Sequence, residues 1–367
     1  MTNYIDRAEA FKIIHARTGK NPAFETFIKG AANSVATQMS AVYERKKRAW
    51  EMLNSSNMKT GKLDISKIAK YKTSDNIFKK KSNMKDGSNH GLTIVVDWSS
   101  SMNSIIIEMA QQLLVVMLYC KKSNIKFQLY FFTGCGDINT ITQNNEYVFG
   151  ENEPTFMFKK MLTHDNSVSD IQTFAINMSL SKFHMCGEIK SDITIPLMGG
   201  TPLQEAAISA YMAAHEFKKL HDIENHSIMF ITDGESSDQL YNVTLIDPYS
   251  NRQYDSIPGK DLLFQINMMC RDAGFKVFNL YIGPSLGRQN IEKGCENIGD
   301  AGKIHAFAYK NKSSVFSIED YYFYNEQICI SFDLIKNYSH DIEILKKTYS
   351  QIGNIINEIL CRSFKIK

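Results

Sequence analysis

The stretch LTIVVDWSSSM, from Leu92 to Met102, decides the fold. Its apolar half is too short for a helix, rich in β-branched residues and free of polar interruptions, which predicts a strand buried on both faces of a sheet. Asp97, Ser99 and Ser101 follow at a spacing of two, where this strand must leave the sheet. Open α/β sheets bind ligands at the carboxyl ends of their central strands, and oxygen donors of this kind suit Mg²⁺ or Mn²⁺ rather than zinc.

Two further segments place candidate ligands at the ends of predicted elements. The segment IPLMGGTPL, residues 195–203, sets Thr201 after a Gly-Gly bend and before a helix that begins with proline. The segment HSIMFITDGE, residues 226–235, is a second buried strand that ends at Asp233. Serine and aspartate also favour helix N-caps, and Ser101 would suit the start of a helix near Asn103. Five donors on three separate loops favour a metal site over a set of unrelated caps.

Together these segments resemble the von Willebrand factor A (VWA) domain and its metal-ion-dependent adhesion site. The resemblance implies an α/β fold with a Rossmann-like, doubly wound, mainly parallel sheet. In that family the two serines and the threonine contact the metal directly or nearly so, and the two aspartates act largely through water. The implied Mg²⁺ (or Mn²⁺) site comprises Asp97, Ser99, Ser101, Thr201 and Asp233, and an Asp or Glu of a partner protein completes the metal shell.

The remainder of the chain alternates between predicted helices and strands, as expected for a mainly parallel sheet with helices on both faces. Helices are predicted over Asn103–Lys121, Thr201–Leu220 and Asp341–Arg362, and strands over Lys126–Thr133, Ile228–Thr232, Lys276–Ile282 and Ala306–Tyr309. Two long excursions follow strands, at residues 134–190 and 236–260. The first is predicted to be helical over Phe156–Met185, and the second to form a hairpin over Leu245–Tyr254. Both are expected to wall the metal face.

The sequence predicts three regions: a helical N-terminal region (residues 1–55), a basic connecting arm (56–91) and the VWA domain (92–367). A helix is expected over Asn21–Asn54, either with a small core of its own or as one long arm. Residues 59–85 contain nine lysines against Asp64 and Asp75, which is typical of a solvated face. Regularly spaced apolar residues predict that the arm also packs along the following domain; they are Leu63, Ile65, Ile68, Tyr71, Ile77 and Phe78.

Composition narrows the class of protein. The chain has 367 residues and 43% apolar content, enough for a sizeable core, and its net charge of +3 gives no bulk argument for nucleic-acid binding. No run reaches the roughly 18 apolar residues of a membrane span, and the first residues have no signal-peptide core. Seven cysteines without a Cys-x-x-Cys pair indicate reduced thiols and a cytoplasmic location.

Most motifs of common catalytic and nucleotide sites do not occur. The pattern Gly-x-Ser-x-Gly occurs once, as GPSLG at residues 283–287, whereas His-Glu-x-x-His and Gly-x-x-x-x-Gly-Lys do not occur. A single short match is weak evidence of catalysis, so we expect a non-catalytic chain that does not bind nucleotides. His184 and Cys186 lack a second pair at zinc spacing. Trp98, inside the metal loop, is expected to pack against a helix rather than to line the ligand surface.

The segments before the first strand point to a more specific family resemblance. They are NMKTGKLD (57–64), YKTSDNIF (71–78) and NHGL (89–92), which lead into Asp97. Over roughly Lys46 to Tyr281 the chain resembles the CobT-like T subunit of aerobic cobaltochelatase, and most closely its relatives from large tailed phages. The bacterial subunit has a long acidic stretch where this chain is short and basic.

This second resemblance implies a metal-dependent adaptor that acts with a MoxR-type (CobS-like) AAA+ ATPase, in the host cytoplasm if the chain is phage-encoded. Two alternatives stay open: a component of a cobalt or magnesium chelatase, and a phage structural or assembly protein that uses the metal face for contacts.

Overall fold

The computed structural model describes most of the chain that forms the sheet and its helices. The described residues are 10–14, 23–54, 64–68, 71–72, 89–134, 146–147, 156–184, 199–232, 243–257, 259–283, 303–307 and 326–331, with residues 346, 350, 353, 354, 356, 357 and 360. The helices are α1 (Ala23–Thr26), α2 (Ala32–Asn54), α3 (Ile106–Lys122), α4 (Val168–His184), α5 (Leu203–Leu220) and α6 (Gly259–Asp272). A π-helical turn (Phe27–Ala31) joins α1 to α2, and a 3-10 helix (Ser100–Ile105) precedes α3.

Eight strands form the main sheet, and a hairpin forms a second one. The strands are β1 (His90–Asp97), β2 (Lys126–Gly134), β3 (Glu146–Tyr147), β4 (Phe156–Thr163), β5 (Asn225–Thr232), β6 (Val243–Ile246), β7 (Gln253–Ile257), β8 (Lys276–Gly283), β9 (Lys303–Phe307) and β10 (Glu326–Ser331). The main sheet has the order β3-β4-β2-β1-β5-β8-β10-β9, and β6 pairs with β7 alone. The predicted α/β fold with a doubly wound, mainly parallel sheet is therefore confirmed.

The central strand β1 is parallel to both of its neighbours. Val96 lies opposite Phe131 of β2 and Ile231 of β5, so the three strands end at one edge of the sheet. All eight residues of β1 are buried. This burial on both faces explains the apolar run in the sequence, since neither face of the strand contacts water.

Helices cover both faces of the sheet. On one face Ile94 and Val96 share a core with α2, α3 and α4. On the other face Val95 shares a core with α5 and α6. The alternation of side chains along β1 supplies both cores from a single strand.

The N-terminal helices belong to the first of these cores. Val35 and Tyr43 of α2 are buried in it, and the Tyr43 ring meets the Tyr119 ring of α3 edge-on. The side chain of Asn357, near the end of the chain, donates a hydrogen bond to the backbone oxygen of Met39. The predicted helix over Asn21–Asn54 is present from Ala23, and it shares the core of the sheet.

Several elements differ from those predicted. Residues Phe156–Thr163 were expected to be helical but form β4, which pairs antiparallel with β2. The final predicted strand lies earlier, at Lys303–Phe307, and β10 was not predicted at all. The hairpin over Leu245–Tyr254 is confirmed by the pairing of these two residues. No helix in the described part of the chain combines the length and the apolar character needed to cross a membrane.

The basic arm does not pack as expected where the structure describes it. Ile65, Ile68 and Tyr71 were predicted to anchor it to the following domain, but all three side chains are exposed. Leu63, Ile77 and Phe78 lie outside the described residues. Apolar residues do recur at regular intervals in the arm, but their spacing alone does not show whether another surface covers them.

Candidate metal site

The Asp97 carboxylate is held on both of its oxygens at the end of β1. The backbone N–H of Ser99 donates to Oδ1 at 2.9 Å, and the hydroxyl of Thr232 donates to Oδ2 at 2.8 Å. Asp97 and Thr232 are completely buried. Because β1 and β5 are parallel and in register, their carboxyl ends bring these two residues together across the sheet.

Two serine hydroxyls face one another in the loop after Asp97. Ser99 Oγ and Ser101 Oγ are 2.9 Å apart. Ser99 has an extended backbone (φ −86°, ψ 163°) and occupies the N-cap position of the 3-10 helix, but its side chain makes no capping hydrogen bond. Ser101 lies inside that helix, which begins at Ser100, so the alternative that Ser101 caps a helix near Asn103 is not realised.

The Gly199–Thr201 loop lies directly against the serine loop. The Ser100 N–H donates to the backbone oxygen of Gly199 at 3.0 Å, and an isolated parallel bridge pairs Ser99 with Gly199. On its other side, the Gly199 N–H donates to the hydroxyl of Thr133 at 2.8 Å. Thr201, two residues further on, is buried at the start of α5.

Position 199 requires glycine. A Cβ atom there would lie 1.6 Å from the backbone oxygen of Gly134, far inside van der Waals contact. The Gly134 N–H in turn donates to the backbone oxygen of Gly200 at 2.9 Å. The Gly-Gly bend predicted from the sequence thus allows two backbones to meet, and that contact positions the threonine loop.

The donors that the structure describes fit a small divalent cation. Neighbouring ligands of an octahedral ion with metal–oxygen distances of about 2.1 Å lie about 3 Å apart. The Ser99 and Ser101 hydroxyl oxygens lie 2.9 Å apart, an ordinary hydrogen-bond distance that is also compatible with that spacing. Among the described residues no group of three or more His, Cys, Asp or Glu side chains is placed to hold a metal ion. The groups that the structure describes around Asp97 are hydroxyl and carboxylate oxygens, the ligand type that Mg²⁺ and Mn²⁺ prefer.

Four of the five predicted ligands lie among the residues that the structure describes. Asp97 ends β1, and Ser99 and Ser101 follow at the start of the 3-10 helix. The loop of Thr201 contacts this segment through Ser100 and Gly199. Asp233 lies outside the described residues, directly after Thr232 in the chain. Its part in the site stays a prediction.

Sequence reasoning missed two threonines that support the site. Thr133 accepts the hydrogen bond from Gly199, and Thr232 donates to Asp97. The sequence feature that could have identified them is a threonine at or near the end of each strand that flanks β1. Trp98 is buried as expected, but its ring stacks on Phe131 of β2 with the centroids 4.9 Å apart.

No protein-family model matches the sequence, and no curated protein matches it. Several solved structures are similar to parts of the chain at low identity. The pilus adhesin SpaC from Lactobacillus rhamnosus GG is similar over 76% of this chain, with 12% identity and a TM-score of 0.41. The chain spans 31% of the length of SpaC.

Two smaller structures are also similar. The VWA domain of SpRpn10 matches 66% of this chain and 88% of its own length, with 12% identity and a TM-score of 0.32. The manganese-loaded TRAP protein of Plasmodium vivax matches 55% of this chain and 61% of its own length, with 13% identity and a TM-score of 0.31. The α/β fold itself is shown by the strand order and register of this chain.

Proposed function

We propose that this chain is a non-catalytic protein-interaction module whose contact with a partner depends on a divalent cation, Mg²⁺ or Mn²⁺. The observation that supports the proposal is the pair of hydroxyls of Ser99 and Ser101, 2.9 Å apart, beside the fixed carboxylate of Asp97. Thr201 and Asp233 are the remaining proposed ligands. In this proposal none of these residues takes part in catalysis.

Charge and hydrogen bonding at the site support the proposal that it holds an ion with one side open to a partner. The Asp97 carboxylate offsets part of the charge of a dication, and the hydrogen bonds from Ser99 and Thr232 fix its orientation. Ser99 is buried and Ser101 is exposed, so the site opens to the surface on the side of Ser101. A bound divalent cation supplies a Lewis-acidic position that an Asp or Glu carboxylate of the partner fills.

The proposed partner is an AAA+ ATPase of the MoxR type. This part of the proposal is supported by the resemblance over Lys46–Tyr281 to the CobT-like subunit, which works with such an ATPase. In this arrangement the chain adapts the ATPase to its target, and the cytoplasm is the proposed location. The long excursions after β2 and β5 are the proposed determinants of partner choice.

Metal binding tests the first part of the proposal directly. We expect Asp97→Ala and Ser99→Ala to weaken Mn²⁺ binding by about tenfold or more, because each removes an oxygen from the donor set. The electron paramagnetic resonance signal of free Mn²⁺ measures the affinity. Ser100→Ala is the matched control, since its hydroxyl lies in the same loop but only contacts the Gly199 backbone oxygen. Wild-type affinity in both ligand variants, with thermal unfolding unchanged, would show that the site is not a metal site.

Recovery of the partner tests the second part. A pull-down from the native host is run with Mg²⁺ and with EDTA, using the wild type and the Ser99→Ala and Ser100→Ala variants. We expect an AAA+ ATPase with Mg²⁺ only, and its loss in Ser99→Ala but not in Ser100→Ala. Equal recovery in EDTA would show that the metal does not mediate this contact.

A further inference from the structure

The described part of the basic arm exposes three large apolar side chains within seven residues. Ile65 is 81% exposed, Ile68 is 41% exposed and Tyr71 is 61% exposed. Isolated apolar residues on a surface need no explanation, but a run of them within one short segment indicates a contact surface. We call these three side chains the arm stripe.

The backbone under the arm stripe is ordered by its own hydrogen bonds. The N–H groups of Lys67 and Ile68 donate to the backbone oxygen of Asp64, and the Tyr71 N–H donates to the backbone oxygen of Ile68. The Asp64 carboxylate accepts hydrogen bonds from the Ser66 N–H at 3.2 Å and from the Ser66 hydroxyl at 2.6 Å. Because these hydrogen bonds already order the backbone of the segment, binding of a partner costs less backbone entropy than it would in an unstructured chain.

The three side chains are spaced three residues apart in the sequence. Turns with hydrogen bonds from residue i to i+3 favour alignment of side chains at that spacing, and the N–H groups of Lys67 and Tyr71 each donate such a bond. Lysines border the stripe: Lys67 pairs with Asp64 at 3.6 Å, and the ammonium of Lys72 lies 5.7 Å from the centre of the Tyr71 ring. The stripe is thus an apolar line with a basic margin.

The charge of the surrounding sequence indicates which kind of partner surface would complement the arm stripe. Residues 59–85 contain nine lysines and two aspartates, whereas the whole chain has a net charge of only +3. The other parts of the chain are on balance acidic, so the positive charge is concentrated in the arm. A matching surface therefore combines an apolar face with carboxylates at its edges.

We propose that the arm stripe is a docking surface for an acidic protein partner that offers such a face. A nucleic acid would stack its bases on aromatic rings, but two of the three side chains are aliphatic. A membrane surface is bound by long amphipathic helices with a broad apolar face, whereas the stripe is a single line of three side chains. This contact needs no metal, so it is independent of the site at Asp97.

The test uses the full chain and a fluorescent synthetic peptide in EDTA. The peptide is an acidic amphipathic helix with leucine at every third and fourth position and glutamate elsewhere. We expect binding that weakens about tenfold or more when NaCl is raised from about 0.05 M to about 0.5 M, because salt screens exposed charges. The triple variant Ile65→Ser/Ile68→Ser/Tyr71→Ser is expected to bind about tenfold more weakly than the wild type.

A second triple variant provides the matched control. Leu220→Ser/Ile246→Ser/Phe264→Ser removes three apolar side chains that are also exposed but lie elsewhere on the described surface, and it is expected to bind the peptide like the wild type. An equal loss in both triple variants, or no loss in the stripe variant, would overturn the proposal. So would tighter binding of a single-stranded oligonucleotide or of anionic phospholipid vesicles than of the peptide. None of these outcomes bears on the Mn²⁺ titration.

Discussion

At the scale of single residues, the Thr232 hydroxyl fixes one oxygen of the buried Asp97 carboxylate, at 2.8 Å. Thr232→Val keeps the shape of the side chain but removes this donor from a completely buried pair. We expect the free energy of unfolding to fall by about 1–2 kcal/mol and Mn²⁺ affinity to fall by about tenfold. Urea unfolding and Mn²⁺ titration by electron paramagnetic resonance measure the two effects.

The matched variant Thr232→Ser retains the hydroxyl and separates the hydrogen bond from packing. It is expected to keep most of the Mn²⁺ affinity, even though the loss of a buried methyl group lowers stability. If Thr232→Ser and Thr232→Val bind Mn²⁺ equally, the hydroxyl does not support the site. Thr232 was not predicted from the sequence because the pattern marks the acid that follows it, and only strand register shows that its hydroxyl reaches Asp97.

At the scale of elements, the contact between the serine loop and the threonine loop depends on glycine at position 199. Gly199→Ala places a Cβ atom 1.6 Å from the backbone oxygen of Gly134, so the two backbones must separate. We expect the free energy of unfolding to fall by about 2 kcal/mol or more, together with a loss of Mn²⁺ affinity, because Thr201 moves with its loop. Thermal unfolding and the same Mn²⁺ titration measure these changes.

A second glycine provides the control for that substitution. Gly30 lies in the π-helical turn before α2, and a Cβ atom there would meet nothing within 4 Å. Gly30→Ala is expected to leave Mn²⁺ binding unchanged and to raise the free energy of unfolding by up to about 1 kcal/mol, since alanine favours helix. Similar losses of stability in both variants would contradict the role assigned to the close contact at Gly199.

Sequence patterns predicted the elements whose burial follows one rule from end to end. The strand β1 is buried along its whole length, and the helix α5 buries residues at helical spacing, so the residue types of each element reveal it. The strand β4 was taken for a helix because its burial is neither continuous, as in β1, nor alternating. Its pairing with β2 also contains a register shift between Leu129 and Tyr130. The identity of β4 is set by the neighbouring strand, and a local pattern does not contain that information.

At the scale of the whole molecule, local sequence patterns did not predict the contacts between distant parts of the chain. The hydrogen bond from Asn357 to Met39 joins residues 318 positions apart and ties the C-terminal region to α2. His90 and His226 likewise acquire their surroundings from remote segments: His90 meets Tyr43 of α2 edge-on, and the Nε2 atom of His226 lies 2.8 Å from the hydroxyl of Thr93. A histidine in a sequence does not reveal such burial.

Burial of these two histidines predicts how the stability of the whole fold depends on pH. Desolvation, with a smaller contribution from Lys218, lowers the pKa of His226 to about 3, and desolvation with Lys276 lowers the pKa of His90 to about 4. Both rings stay neutral in the folded chain below about pH 6.5, where the unfolded chain takes up protons, so acid favours unfolding. We expect the free energy of unfolding to fall by up to about 1.4 kcal/mol per pH unit for each histidine between about pH 6 and pH 5.

Urea unfolding of the wild type and of His226→Gln at several pH values measures the slope, and the variant is expected to have the flatter one. Parallel slopes would show that His226 is not the group responsible, whereas a constant offset above about pH 7.5 reflects only altered packing.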